Sequence, residues 1–156
     1  MHKFMCAYFS SIQLLFVMSL LLQFTKHPSE MNENELAQAV IEIGFYIHRR
    51  WGPGLLESVY EELMVYHLKA NGFFVEQQKE IPFAEDGVKL SAGFRADIIV
   101  ERKLIVELKS IERIAPVHSK ILLTYLRLTD LKLGLLMNFG EALMRDGINR
   151  VIRGYL

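Results

Sequence analysis

Between Phe94 and Lys109 the chain alternates apolar and polar residues with a period of two, broken once at Glu101-Arg102-Lys103. That period is the pattern of a strand with one covered face, so the stretch reads as a β-hairpin. Phe94, Ala96, Ile98 and Val100, then Leu104, Val106 and Leu108, are expected on one side. Arg95, Asp97, Glu107 and Lys109 fall on the other, with Ile99 and Ile105 between them.

Register sharpens this. If both apolar faces enter one core, even residues must pair with even residues, because a slip of one residue turns every side chain over. A two-residue turn would pair 100 with 105 and violate that rule. A three-residue turn, Glu101-Arg102-Lys103, pairs 100 with 104, 99 with 105 and 97 with 107. Asp97 then stands opposite Glu107, with Cβ atoms about 4.5–5.5 Å apart. Two carboxylates that close repel unless a cation lies between them. Mg²⁺ is held by one or two carboxylates together with water and phosphate oxygens. The pattern therefore points to a metal site with Lys109 beside it. Against this, two acids and a lysine on a wet sheet face are an ordinary arrangement. Ile99 and Ile105 argue that this face is not simply wet.

A second motif lies upstream, Gly54-Leu55-Leu56-Glu57-Ser58-Val59-Tyr60. Gly93-Phe94-Arg95-Ala96-Asp97, Val106-Glu107-Leu108-Lys109, Pro116-Val117-His118 and Leu122-Leu123-Thr124-Tyr125-Leu126-Arg127 follow it in order. Taken together, these segments resemble the GxxExxY proteins, a branch of the PD-(D/E)XK nuclease superfamily. The likeness runs from about Met31 to the C-terminus.

The resemblance implies an α/β fold with a restriction-endonuclease-like core, a mixed β-sheet flanked by helices. It implies Mg²⁺ or Mn²⁺ held by Asp97 and Glu107, with Glu57 as an auxiliary ligand. Lys109 would position water or stabilise transition-state charge, and the reaction would be phosphodiester hydrolysis. Arg95, His118, Lys120 and Tyr125 are the expected nucleic-acid contacts, to DNA ahead of RNA. Nucleases of this fold often pair, so a homodimer is expected, in the cytoplasm. The chain departs from the family pattern at Ile121, where a glutamine is typical four residues before Tyr125. The alternative function is therefore a catalytically weakened nuclease fold that binds nucleic acid or a protein partner.

Charge bears on the same question. The formal net charge of the 156 residues is zero. Such a chain lacks the global positive field that drives non-specific nucleic-acid binding. Contact must be local, and Lys109, Arg113, Lys120 and Arg127 form the candidate patch, or else a solvated helix face. Cys6 is the only cysteine, so intramolecular disulfides and cysteine-based zinc sites are excluded. His48 and His67 fall on expected helices as surface or packing residues. His118 alone adjoins the proposed site.

Residues 1–30 form an apolar extension. The run Ile12 to Phe24 is shorter than the about 20 residues of a membrane span, and no clear cleavage site follows it. We expect translation to start at Met31, with an export signal or anchor as the alternative. Residues 31–156 are expected to be the nuclease-like domain, without stable membrane association. Helices are predicted over 33–49, 56–70 and 116–128. In the second, Leu56, Val59, Tyr60, Leu63, Met64 and His67 should face inward, with Glu57 at the stripe's border. There Glu57 could equally be a first-turn acid that complements the helix dipole. Strands are predicted over 73–82, 94–109, 131–138 and 148–155, with a turn at Asp86-Gly87.

Overall fold

The computed structural model describes residues 26–89 and 93–156. The apolar run Ile12–Phe24 lies outside them. Asn32 opens helix α1 (Glu33–Trp51) with a capping box. Its Oδ1 accepts from the Glu35 N–H at 3.0 Å, and Glu35 Oε2 accepts from the Asn32 N–H at 2.8 Å. Two helix-end donors are thereby satisfied. Gly52, at φ 67°, ends the helix in a region that favours glycine. Met31 is buried, and Lys103 Nζ donates to the carbonyls of Ser29 and Met31 at 2.9 and 2.8 Å. The residues just before α1 are thus tied to the domain.

Helix α2 (Glu57–Ala70) carries its buried face at Tyr60, Glu61, Met64, Val65, His67 and Leu68. The expected stripe is rotated: Leu56 is 74% exposed and Val59 is exposed as well. Glu61 takes an inward position in their stead, because amide partners from the sheet meet it there. His48 and His67 are buried packing residues, as expected.

Strands β1 (Val75–Ile81), β2 (Ala84–Glu85), β3 (Val88–Lys89), β4 (Phe94–Val100) and β5 (Leu104–Lys109) follow. Helix α3 (Pro116–Thr129), β6 (Leu133–Asn138) and β7 (Ile148–Ile152) complete the order. Asp86 and Gly87 join β2 to β3 with φ of 47° and 80°, the hand a two-residue hairpin needs. The main sheet runs β1-β4-β5-β6-β7. Its β5–β6 pair is parallel and the other three pairs are antiparallel. A parallel pair needs a crossover, which α3 supplies. The result is the expected α/β mixed sheet between helices, with α1 and α2 packed on one face and α3 on the other.

The three-residue turn is present. Val100 pairs with Leu104, Ile99 with Ile105 and Ile98 with Val106. The single apolar face is only partly realised. Ile98, Val100, Leu104, Val106 and Leu108 enter the core under α1 and α2. Phe94 and Ala96 instead pack on the α3 side, where the Phe94 ring meets Tyr125 at 5.7 Å between centroids. The alternation changes phase at Asp97. Beside it on β1, Gln78 adopts φ 50°, a backbone region that breaks the pleat. Gln77 still pairs with Ile98 and Lys79 with Ala96, so no residue is inserted.

The loop after β5 is held from β6. Buried Asn138 accepts from the Ile111 and Gly140 N–H groups at 3.0 and 3.1 Å and donates to the Ile111 carbonyl at 2.8 Å. A Cβ on Gly140 would stand 2.2 Å from the Ile111 oxygen. Gly140→Ala should therefore destabilise the fold by about 1–3 kcal/mol, read as a lower urea midpoint. An unchanged midpoint would show that the loop gives way freely.

Candidate metal centre

The sheet forks where its two central acids lie. The backbone ladder between β4 and β5 ends at Ile98 and Val106. Beyond it β4 stays paired to β1 as far as Phe94, and β5 stays paired to β6 as far as Lys109. Diverging strands leave N–H groups without ladder partners. The two carboxylates take over. Glu107 Oε1 accepts from the Asp97 N–H at 3.3 Å, and Asp97 Oδ2 accepts from the Leu108 N–H at 2.9 Å. Asp97 and Glu107 thus meet just beyond the last backbone pair, joined through their side chains rather than paired directly as the expected register had them.

Lys109 closes the cluster. Its Nζ donates to the Leu108 carbonyl at 2.6 Å and lies 3.4 Å from Glu57 Oε1. It lies 3.9 Å from Asp97 Oδ2 and 4.0 Å from Glu107 Oε2. One mostly buried ammonium is therefore shared by three carboxylates. Glu57 reaches it from α2, and the upstream motif explains how. Tyr60 donates its hydroxyl proton to the Gly52 carbonyl at 2.6 Å and accepts from the Leu55 N–H at 3.1 Å. Its ring stacks on Phe139 at 4.4 Å. Ser110, next to Lys109, donates to the Leu55 carbonyl at 2.7 Å. The turn that launches α2 is thereby fastened from both sides, which sets Glu57 over Lys109.

Burial and the neighbouring Asp97 charge push the Glu107 carboxyl up to about 8, against the opposing pull of Lys109. A buried carboxyl beside another carboxylate holds its proton until a stronger cation arrives. Tyr125 is buried as well. Desolvation first, then the charges of Glu107 and Asp97, raise its hydroxyl pKa.

The donors gathered here are hard oxygens: two carboxylates and the Leu108 carbonyl, around a centre now held by an ammonium. That chemistry suits Mg²⁺ or Mn²⁺, which complete their shells with water and phosphate oxygens. Among the described residues no three His, Cys, Asp or Glu side chains are close enough to share one ion. Glu57 meets the ammonium at 3.4 Å but is not close enough to Asp97 and Glu107 to share an ion with both.

The expected nucleic-acid contacts divide. Tyr125 lies near the acids, on the α3 side of the sheet. Arg95 and Lys120 are exposed, and His118 is half-buried in the first turn of α3. Among the described residues, none of these three forms an ion pair or side-chain hydrogen bond with the cluster. Arg113 and Arg127 are exposed and solvated. Ile121, one turn before Tyr125, is 40% exposed. The sequence reading missed the Leu108 carbonyl and the pair Glu61 and Gln78. Glu61 follows Glu57 by four residues and so shares its helix face, which was the available signal.

The sequence matches the PD-(D/E)XK nuclease superfamily over residues 34–151. The chain belongs to this superfamily. The matched span runs from within α1 to within β7 and contains all four residues of the cluster. No curated protein and no solved structure matches the chain. Among the described residues, no helix is long and apolar enough to cross a membrane.

Proposed function

We propose that this member of the superfamily is a Mg²⁺- or Mn²⁺-dependent nuclease that hydrolyses phosphodiester bonds, in DNA ahead of RNA. The observation that carries this reading is the fork, where Asp97 and Glu107 converge with Lys109 on one centre. Asp97 and Glu107, with the Leu108 carbonyl, would hold the ion. When bound, it supplies Lewis acidity and a water of lowered pKa. Lys109 would orient that water and face the negative charge that grows on the phosphate oxygens. Glu57 holds the Lys109 ammonium in place, and the Tyr60 and Ser110 bonds hold Glu57.

The finer likeness to the GxxExxY proteins is supported by the work of its motif residues, since the glycine turn, Glu57 and Tyr60 form one mechanical unit. Pairing of two copies would bring two such centres to two strands, and the compartment we propose is the cytoplasm. Ile121 and the zero net charge favour a second reading, a weakened nuclease fold that binds nucleic acid or a protein without cutting.

The test is incubation of the full chain with DNA and RNA, in Mg²⁺ or in EDTA, beside Asp97→Asn. The account expects cleavage that needs the metal and falls at least about 100-fold in the variant. Cleavage that persists in EDTA, or in Asp97→Asn, contradicts it. Binding without cleavage supports the second reading.

A further inference from the structure

One buried carboxylate has no part in the chemistry described so far. Glu61, one helical turn after Glu57, is 8% exposed. Its two oxygens accept from two neutral amides on consecutive residues of β1, Gln77 Nε2 at 2.9 Å and Gln78 Nε2 at 2.7 Å. Consecutive strand residues ordinarily point to opposite faces. Both reach one carboxylate here because Gln78 adopts φ 50° in the middle of the strand.

That conformation is strained for a non-glycine residue. It accommodates no inserted residue, because the pairing with β4 steps one for one on either side. Its effect is to carry the Gln78 amide between two acids. The same Nε2 that meets Glu61 lies 3.4 Å from Asp97 Oδ1. Asp97 Oδ2 is held by the Leu108 N–H at 2.9 Å. The amide therefore faces the second oxygen of Asp97, where it can bias the rotation of the carboxylate.

We infer that Gln78 is a positioning residue for Asp97, and that Glu61 is the anchor that holds its amide. The inference rests on the reading of Asp97 as a metal ligand. An amide suits this task better than a lysine would. It orients the carboxylate without neutralising the charge that a divalent ion needs. Its bond to buried Glu61 favours that position when Asp97 takes up an ion. Partners of this kind behind a metal ligand are typically worth about 10–100-fold in metal affinity.

The test is Mn²⁺ titration of the full chain, with free Mn²⁺ read by electron paramagnetic resonance, beside thermal unfolding of each variant. Glycine adopts φ 50° without strain, which offsets part of the lost hydrogen bond to Glu61, so Gln78→Gly should remain folded. Its Mn²⁺ dissociation constant should rise about 10–100-fold. Asparagine tolerates the same backbone region but is one methylene shorter. Gln78→Asn should show the same loss and serves if the glycine variant does not fold. Wild-type Mn²⁺ affinity in a folded Gln78 variant overturns the inference and leaves the metal centre standing. Wild-type protein that binds no more Mn²⁺ than Asp97→Asn overturns both.

Discussion

Glu107→Gln is expected to stabilise the metal-free protein at pH 8.5 while removing its affinity for Mg²⁺ and Mn²⁺. The Glu107 carboxyl titrates near 8 in the fold, against an ordinary value of 4.5. Between those two values the folded protein keeps a proton that the unfolded chain has lost. Stability then falls as pH rises through that window, because the unfolded state binds fewer protons. Each pH unit of displacement is worth about 1.4 kcal/mol.

The effect is fully felt only above about 8, where the fold must carry a buried anion beside Asp97. Glutamine keeps the oxygen that accepts from the Asp97 N–H and never ionises. In EDTA the variant should melt several degrees above wild type at pH 8.5, at about 2–4 °C per kcal/mol. At pH 5 the two should nearly coincide. Equal melting temperatures at both pH values would show that the carboxyl is not held protonated. The group that costs stability without metal would thus be the one that binds it.

Lys109→Met is expected to separate binding from chemistry. Its ammonium is the cation that the three carboxylates now share. A divalent ion must compete with it for Asp97 and Glu107. Without that competitor, Mn²⁺ should bind at least as tightly as in wild type. Hydrolysis should nonetheless fall about 10²–10³-fold, the usual loss for one donor aimed at developing charge. Methionine keeps most of the buried length, so the fold should survive. The check is a Mn²⁺ titration beside a Mg²⁺-dependent cleavage assay. Wild-type rates in the variant would remove Lys109 from the mechanism. Loss of metal binding with it would mean that Lys109 organises the site rather than acting in it.

The hairpin was legible because a period of two and a charged turn leave few registers open. The register of Ile98 to Val100 against Leu104 to Val106 is as expected, and Asp97 and Glu107 meet just beyond it through side-chain bonds. The change of phase at Asp97 was not legible. It depends on one glutamine in a left-handed conformation, and Gln78 carries no glycine or asparagine signal to announce it. The inward face of α2 was misplaced for a related reason. Leu56 and Val59 look like core residues, while Glu61 looks like surface until Gln77 and Gln78 are seen behind it. The loop fastenings through Ser110 and Asn138 join residues far apart in the chain and leave no local pattern.

The central claim is that Asp97 and Glu107 form a metal centre. Its most direct test is a calorimetric titration of Mn²⁺ into the full chain at pH 7, in two buffers of different ionisation enthalpy, beside Glu107→Gln. The account predicts saturable binding with release of close to one proton per ion, both lost in the variant. Binding of the same strength in wild type and variant would contradict it.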